Sequence, residues 1–273
     1  MTARTRPLVL TLRARPEQRL DLSPLVPHRL ADMTEAEIAA IELQTTRTRV
    51  TVGDAFRLRM GDAQHVRIEG ACDRLDQIGQ GLSDGEIIVD GDVGCQAGRL
   101  MTGGRLTIRG DAGPRAASGL RGGVVEITGN AGDHLAGPLA GETVGMRGGV
   151  VVVRRNAGAR AGDRMRRGTI VVEGAAGSWA GCRMIAGTLM VRRKVGALPG
   201  YLMRRGTLIL GDGAEELSPT FVDCGTHELL AIRLLAEFVS PYSKGLTTIL
   251  RRPLRRLAGD MAVAGKGEIF TRI

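Results

Sequence analysis

Arginine is the residue type whose spacing in this chain could do chemistry. Arg121, Arg147, Arg166 and Arg204 recur at one place of an internal repeat, with Thr102 and Ile185 at the same place in two other copies. Arg167 and Arg205 follow at the next position, and the pairs Arg154/Arg155 and Arg192/Arg193 share another place in alternate copies. Guanidinium groups held in rows grip carboxylates bidentately, so the pattern suits an acidic ligand or an acidic protein surface. It equally suits a solvated or salt-bridged face. Nothing else in the sequence assembles a nucleophile, a base and an orienting group. Cys72, Cys95, Cys182 and Cys224 show no CxxC spacing, and His28, His65, His134 and His227 are scattered. Neither set argues for a disulfide framework, a zinc site or any other metal site. His134, the one histidine inside the regular repeats, reads as a loop residue rather than a catalyst.

The elements that must position the arginines are set by the repeat itself. Segments of one pattern begin at Gly85, Gly104, Gly123, Gly149, Gly168, Gly187 and Gly206, nineteen residues apart except for Gly123 to Gly149, which is longer by seven. Two and four places after each glycine stand aliphatic residues, from Ile87/Val89 through Leu106/Ile108, Val125/Ile127, Val151/Val153, Ile170/Val172 and Leu189/Val191 to Leu208/Leu210. Period-two alternation of β-branched residues predicts strands with one buried face. Three places before each glycine lie Leu82, Met101, Leu120, Met146, Met165, Met184 and Met203, a second inward column in which flexible thioethers fill a narrow interior. That column is core rather than a cofactor box. GDVGCQAG from Gly91 and GAAGSWAG from Gly174 spell GxxGxxxG, where glycine supplies positive φ at corners and close approach of successive turns.

A nineteen-residue unit is too short for a helix plus a strand, and one unit cannot bury its apolar side alone. The expected fold is mainly β: a single-stranded, right-handed parallel β-helix of about seven coils. At ordinary strand spacing it makes a rod on the order of 30 Å long. Residues 61–213 carry it, opening with a degenerate coil at Val66–Gly70. Residues 1–60 form a mixed N-terminal cap with a strand from Val9 and a capping box, Thr34 with Glu37, opening a short helix that runs to about Ile41. Residues 214–273 form a helical C-terminal cap. Its helix over His227–Val239 places Leu230, Ala231, Leu234 and Phe238 on one side, and a basic run begins at Arg251. Caps cover strand edges that would otherwise aggregate, and the C-terminal one also offers a place for a partner to dock.

With only 3% aromatic residues, the net charge of +9 does not make a nucleic-acid binder. No apolar run reaches the roughly 20 residues of a membrane span and no signal peptide is evident, so the expected location is the cytoplasm.

These residues resemble a known family. The GxxGxxxG coils look like the glycine-rich β-helix shared by the C-terminal domain of large-chain glutamate synthase and by the C subunit of formylmethanofuran dehydrogenase. LTLRARP from Leu10, EAEIAAIEL from Glu35, VGDAFRL from Val52, GETVGMRGG from Gly141 and SPTFVDCGTHELLAIRLL from Ser218 favour the second. Abundant arginine, with lysine only at Lys194, Lys244 and Lys266, fits a GC-rich bacterium and hence the bacterial formyltransferase/hydrolase complex of methylotrophs.

The resemblance implies a scaffold subunit without catalytic residues of its own. Other subunits would move a formyl group from tetrahydromethanopterin to a methanofuran-type carrier and release formate: a formyltransferase, an amidohydrolase-like hydrolase and a further dehydrogenase-like chain. It also implies contact between Arg121, Arg147, Arg166 and Arg204 and the carrier's polyglutamate tail, with no prosthetic group held by this chain. The C subunit of a tungsten or molybdenum formylmethanofuran dehydrogenase and a glutamate-synthase-like scaffold remain alternatives. A hexapeptide-repeat acyltransferase fits least, because its coil is a multiple of six.

Overall fold

The computed structural model describes residues 6–45 and 47–272. Residues 1–5, 46 and 273, which fall in the two flanking segments, lie outside the described residues. The chain is mainly β. Its main sheet has thirteen strands, and across it run, in order, Pro7–Leu12, Asp62–Ala71, Glu86–Gly91, Arg105–Arg109, Val124–Ile127, Arg147–Val153, Arg167–Val172, Thr188–Val191, Arg205–Leu210 and Lys266–Thr271, all mutually parallel. Antiparallel strands close both edges: Phe56–Arg59 at one, Leu254–Gly259 and then Val222–His227 at the other.

Register follows the repeat. Ile87 lies opposite Leu106, and the column continues through Val125, Val151, Ile170, Leu189 and Leu208 to Ile269. Every member is fully buried, as are Leu82, Met101, Leu120, Met146, Met165, Met184 and Met203. The seven extra residues before Gly149 loop out and return without disturbing the column, since Val125 still pairs with Val151.

Two further ladders join the repeats. Single parallel bridges run from Val93 through Ala112, Ala131, Ala157, Ala176 and Val195 to Ala214. The amides of Thr102, Arg121, Arg147, Arg166, Ile185 and Arg204 donate, at 2.7 or 2.8 Å, to the carbonyls of Leu82, Met101, Leu120, Met146, Met165 and Met184 one repeat back. Glycine divides its work between these sites. Gly123 has φ +80, the conformation expected at a corner. Gly110 instead permits close approach, because a Cβ there would stand 2.4 Å from the carbonyl oxygen of Gly91.

The flanks extend the stack. Pro7–Leu12 lies parallel to Asp62–Ala71, with Leu8 opposite Val66. The capping box forms as read, with Thr34 and Glu37 bonding each other's backbone ahead of helix Glu35–Ala40. At the other end the sequence period stops, yet Lys266–Thr271 adds one more parallel rung, so the C-terminal segment holds three strands as well as helices Leu230–Val239 and Lys244–Leu250.

Two expectations are corrected. The strands are not buried on one face throughout, because Val152, Val171, Met190, Ile209 and Phe270, on the opposite face, are also buried. They pack beneath Ile232, Ala236, Val239, Leu246, Ile249 and Leu250 of the two C-terminal helices. That contact sets the helix rotation, so the side read as apolar points outward. Leu230 is 73% exposed, Leu234 63% and Phe238 47%. The helices are also tied by Arg154, whose Nη1 donates to the Tyr242 carbonyl at 2.6 Å.

Candidate functional site

The third ladder fixes the height of each candidate arginine. Because the amides of Arg121, Arg147, Arg166 and Arg204 bond to the preceding repeat, their side chains leave the stack along one edge at regular intervals, interrupted where Ile185 takes the place. All four are exposed, and among the described residues none of these side chains makes a hydrogen bond or ion pair within the chain. Arg167, next to Arg166, sits opposite Arg147 across the strand pair, and Arg205 opposite Lys266, which thickens the cationic edge. The Glu142 carboxyl, on the inserted loop, is held below the usual carboxylate range chiefly by its hydrogen bond from Arg99 and, more weakly, by the charge of Arg147.

The other arginine pairs are largely spoken for. Arg154 bonds Glu126 through Nε at 2.9 Å, Arg192 reaches Glu173 at 3.3 Å, and Arg193 pairs with Asp212 at 3.6 Å. Their work is to tie neighbouring repeats together. Along the edge carrying Arg121, Arg147, Arg166 and Arg204 the guanidinium groups are free to take carboxylates from another molecule, and Arg155 likewise has no side-chain partner among the described residues.

A second surface escaped sequence reasoning. Gln96, Arg115, His134, Arg160, Trp179 and Leu198 occupy one repeat position, and each has φ between 54° and 62°. No shared residue type marks the position, so only the offset from the neighbouring GxxG glycines could have revealed it. His134 belongs to this turn column. Burial first, and then the charge of Arg115, lowers its pKa, so the ring is neutral near pH 7. The charges that act on it are those of Arg115, Asp163, Arg160 and Asp133. Among the described residues no three or more His, Cys, Asp or Glu side chains gather as a metal site requires.

Beneath this surface Asp163 is buried, accepting from Cys182 Sγ at 3.3 Å and from Arg183 Nη2 at 3.1 Å. Burial and the Asp163 carboxylate push the Cys182 thiol up to about 12. Because the thiolate is the nucleophile, iodoacetamide at about pH 8 should alkylate the partly exposed Cys72, Cys95 and Cys224 well before Cys182. Peptide mass spectrometry over a time course reads the order, and equal labelling of Cys182 would contradict the burial.

Fold and site together define a glycine-rich repeat protein whose successive repeats pair as parallel strands in one sheet and present an arginine edge. No family model matches the sequence. The chain is 48% identical over 261 residues to the C subunit of the formyltransferase/hydrolase complex Fhc of Methylorubrum extorquens, an alignment spanning 96% of this chain and 98% of that one. The chain belongs to the family of that C subunit. A weaker similarity, 29% over 89 residues, links it to the C subunit of a tungsten-containing formylmethanofuran dehydrogenase of Methanococcus maripaludis, over 32% of this chain and 33% of that one. In three dimensions it matches a chain of the crystal structure of the formyltransferase/hydrolase complex FhcABCD of Methylorubrum extorquens in complex with methylofuran. The TM-score is 0.92 at 42% sequence identity, covering 97% of this chain and 99% of that chain.

Proposed function

We propose that this chain is the scaffold subunit of a formyltransferase/hydrolase complex. The single observation that carries the reading is full-length similarity at 48% identity to a component of that complex. Partner subunits perform formyl transfer from tetrahydromethanopterin to a methanofuran-type carrier and release of formate, and this chain spaces them in the cytoplasm. Three ladders between successive repeats support a single-stranded, right-handed parallel β-helix over residues 61–213, capped by 1–60 and 214–273.

The cationic edge adds a carrier contact to this reading. The similar complex was solved with methylofuran. Arg121, Arg147, Arg166 and Arg204 hold an acidic carrier tail along the stack while its formyl-bearing end moves between partner active sites. Exposed ion pairs contribute roughly 0.2–1 kcal/mol each, so four of them together change retention by between about fourfold and several hundredfold. Replacing all four with Gln should therefore cost the purified complex most of its carrier while leaving its melting temperature and its set of polypeptides unchanged. Full carrier occupancy in that variant would remove the edge from the account.

A further inference from the structure

Away from the arginine edge, the column of positive-φ residues frames a depression of about 350 Å3, lined among others by Arg160, Trp179, Arg183, Leu198, Tyr201 and Leu202. Three stacked repeats build it. The amides of Arg160, Trp179 and Leu198 donate to the carbonyls of Ser178, Ala197 and Glu216 at 2.8–2.9 Å, and Arg183 N–H to Tyr201 C=O at 2.7 Å.

Five of the residues named have positive φ, from 52° at Arg183 to 59° at Trp179. Such a conformation costs a residue with a side chain on the order of 1 kcal/mol and costs glycine almost nothing. A chain with 40 glycines nevertheless places Arg, Trp and Leu here. Packing does not account for the two rings, because Trp179 is 38% exposed and Tyr201 43%. Trp179 is the chain's sole tryptophan, and the Arg160 guanidinium lies 4.9 Å from its ring centroid.

The charges narrow what fits. Arg183 is held by Asp163, whose carboxylate also accepts from Cys182. Arg160 has no hydrogen-bond or ion-pair partner for its side chain among the described residues. One uncompensated cation thus stands against an aromatic wall, over a floor of Leu198 and Leu202. Arg, Trp and Tyr are the residues that dominate binding energy at protein interfaces, and the chain's charge of +9 draws acidic partners.

We propose that this depression is the docking site for an acidic polypeptide segment of a partner subunit, with a carboxylate on Arg160 and a neighbouring apolar side chain between Trp179 and Tyr201. The proposal rests on the scaffold reading.

The test uses the assembled complex, with Tyr201 replaced by the photo-cross-linking residue p-benzoylphenylalanine. Irradiation is expected to join this chain to a partner-subunit peptide containing Asp or Glu. Separately, Arg160→Gln and Trp179→Ala should each weaken retention of that partner about tenfold without lowering the melting temperature of the chain. Cross-linking to no polypeptide, to the carrier, or to a segment without carboxylates would overturn the site, as would unchanged retention in both variants. In those cases the chain would still copurify with its partners and the scaffold reading would stand. A chain that copurifies with nothing overturns both.

Discussion

Ile170→Asp should abolish the folded state. Ile170 is fully buried in the central aliphatic column, between Val151 and Leu189 on the neighbouring strands. A carboxylate there has no cation or donor within the lining, so either an unpaired charge or a proton uptake is forced, at a cost of several kcal/mol. Domains of this kind have roughly 5–15 kcal/mol of stability in total. A stack is also vulnerable at its middle, because each repeat gains its burial from the two beside it. Circular dichroism should show loss of the β signal or a melting temperature lowered by tens of degrees. Ile170→Val, which removes one methylene, should cost only about 0.5–1.5 kcal/mol. An Asp variant that melts within a few degrees of the parent would mean that the column does not face a dry interior.

Leu246→Asp should leave the inner column standing and lift its outer cover. Leu246 is fully buried on helix Lys244–Leu250, in the cluster that covers Val171, Met190 and Ile209 from outside. Gly245 on that helix leaves room for the Arg192 side chain, which a Cβ there would meet. A buried carboxylate at Leu246 forces the two helices off the sheet and bares an apolar strip, so the variant should bind a hydrophobic dye, aggregate and be cut by protease near residues 240–244, while keeping most of its far-ultraviolet β signal. Leu230→Asp, on the same helical pair but 73% exposed, should change stability by less than about 0.5 kcal/mol. Reversed behaviour of Leu246→Asp and Leu230→Asp would put the helices on the wrong face.

That contrast shows where sequence reasoning reached its limit. The inward pairs are legible because nineteen-residue register makes Ile87, Leu106 and Val125 neighbours whatever else the chain does. The helix rotation is not legible from the helix alone. Leu230, Leu234 and Phe238 form the bulkier stripe, and Ile232, Ala236 and Val239 form the buried one. The deciding signal lies elsewhere, where the outward strand position changes from Thr107 and Glu126 to Val152, Val171, Met190 and Ile209. Those apolar residues announce a face that must be covered, and Ile232, Ala236, Val239, Leu246, Ile249 and Leu250 cover it.

The last rung, Lys266–Thr271, stayed hidden because two helices and two strands separate it from the final repeat. Of the basic residues, sequence identified the rows but not their fates. Glu126, Glu173 and Asp212 neutralise the Arg154, Arg192 and Arg193 positions, whereas Arg121, Arg147, Arg166 and Arg204 stay open along one edge. The positive-φ column was invisible because backbone stacking, not residue type, imposes its conformation. Its side chains are therefore free to differ from repeat to repeat, which is what a surface adapted to a particular partner requires.

Native mass spectrometry of the assembly isolated from its own cells, through this chain, addresses the central claim most directly. The expected spectrum holds this 273-residue chain with a formyltransferase, an amidohydrolase-like hydrolase and a dehydrogenase-like subunit, together with an acidic carrier that the four-arginine variant loses. A chain that flies alone, or one that comes with a flavin and iron–sulfur amidotransferase, would contradict it.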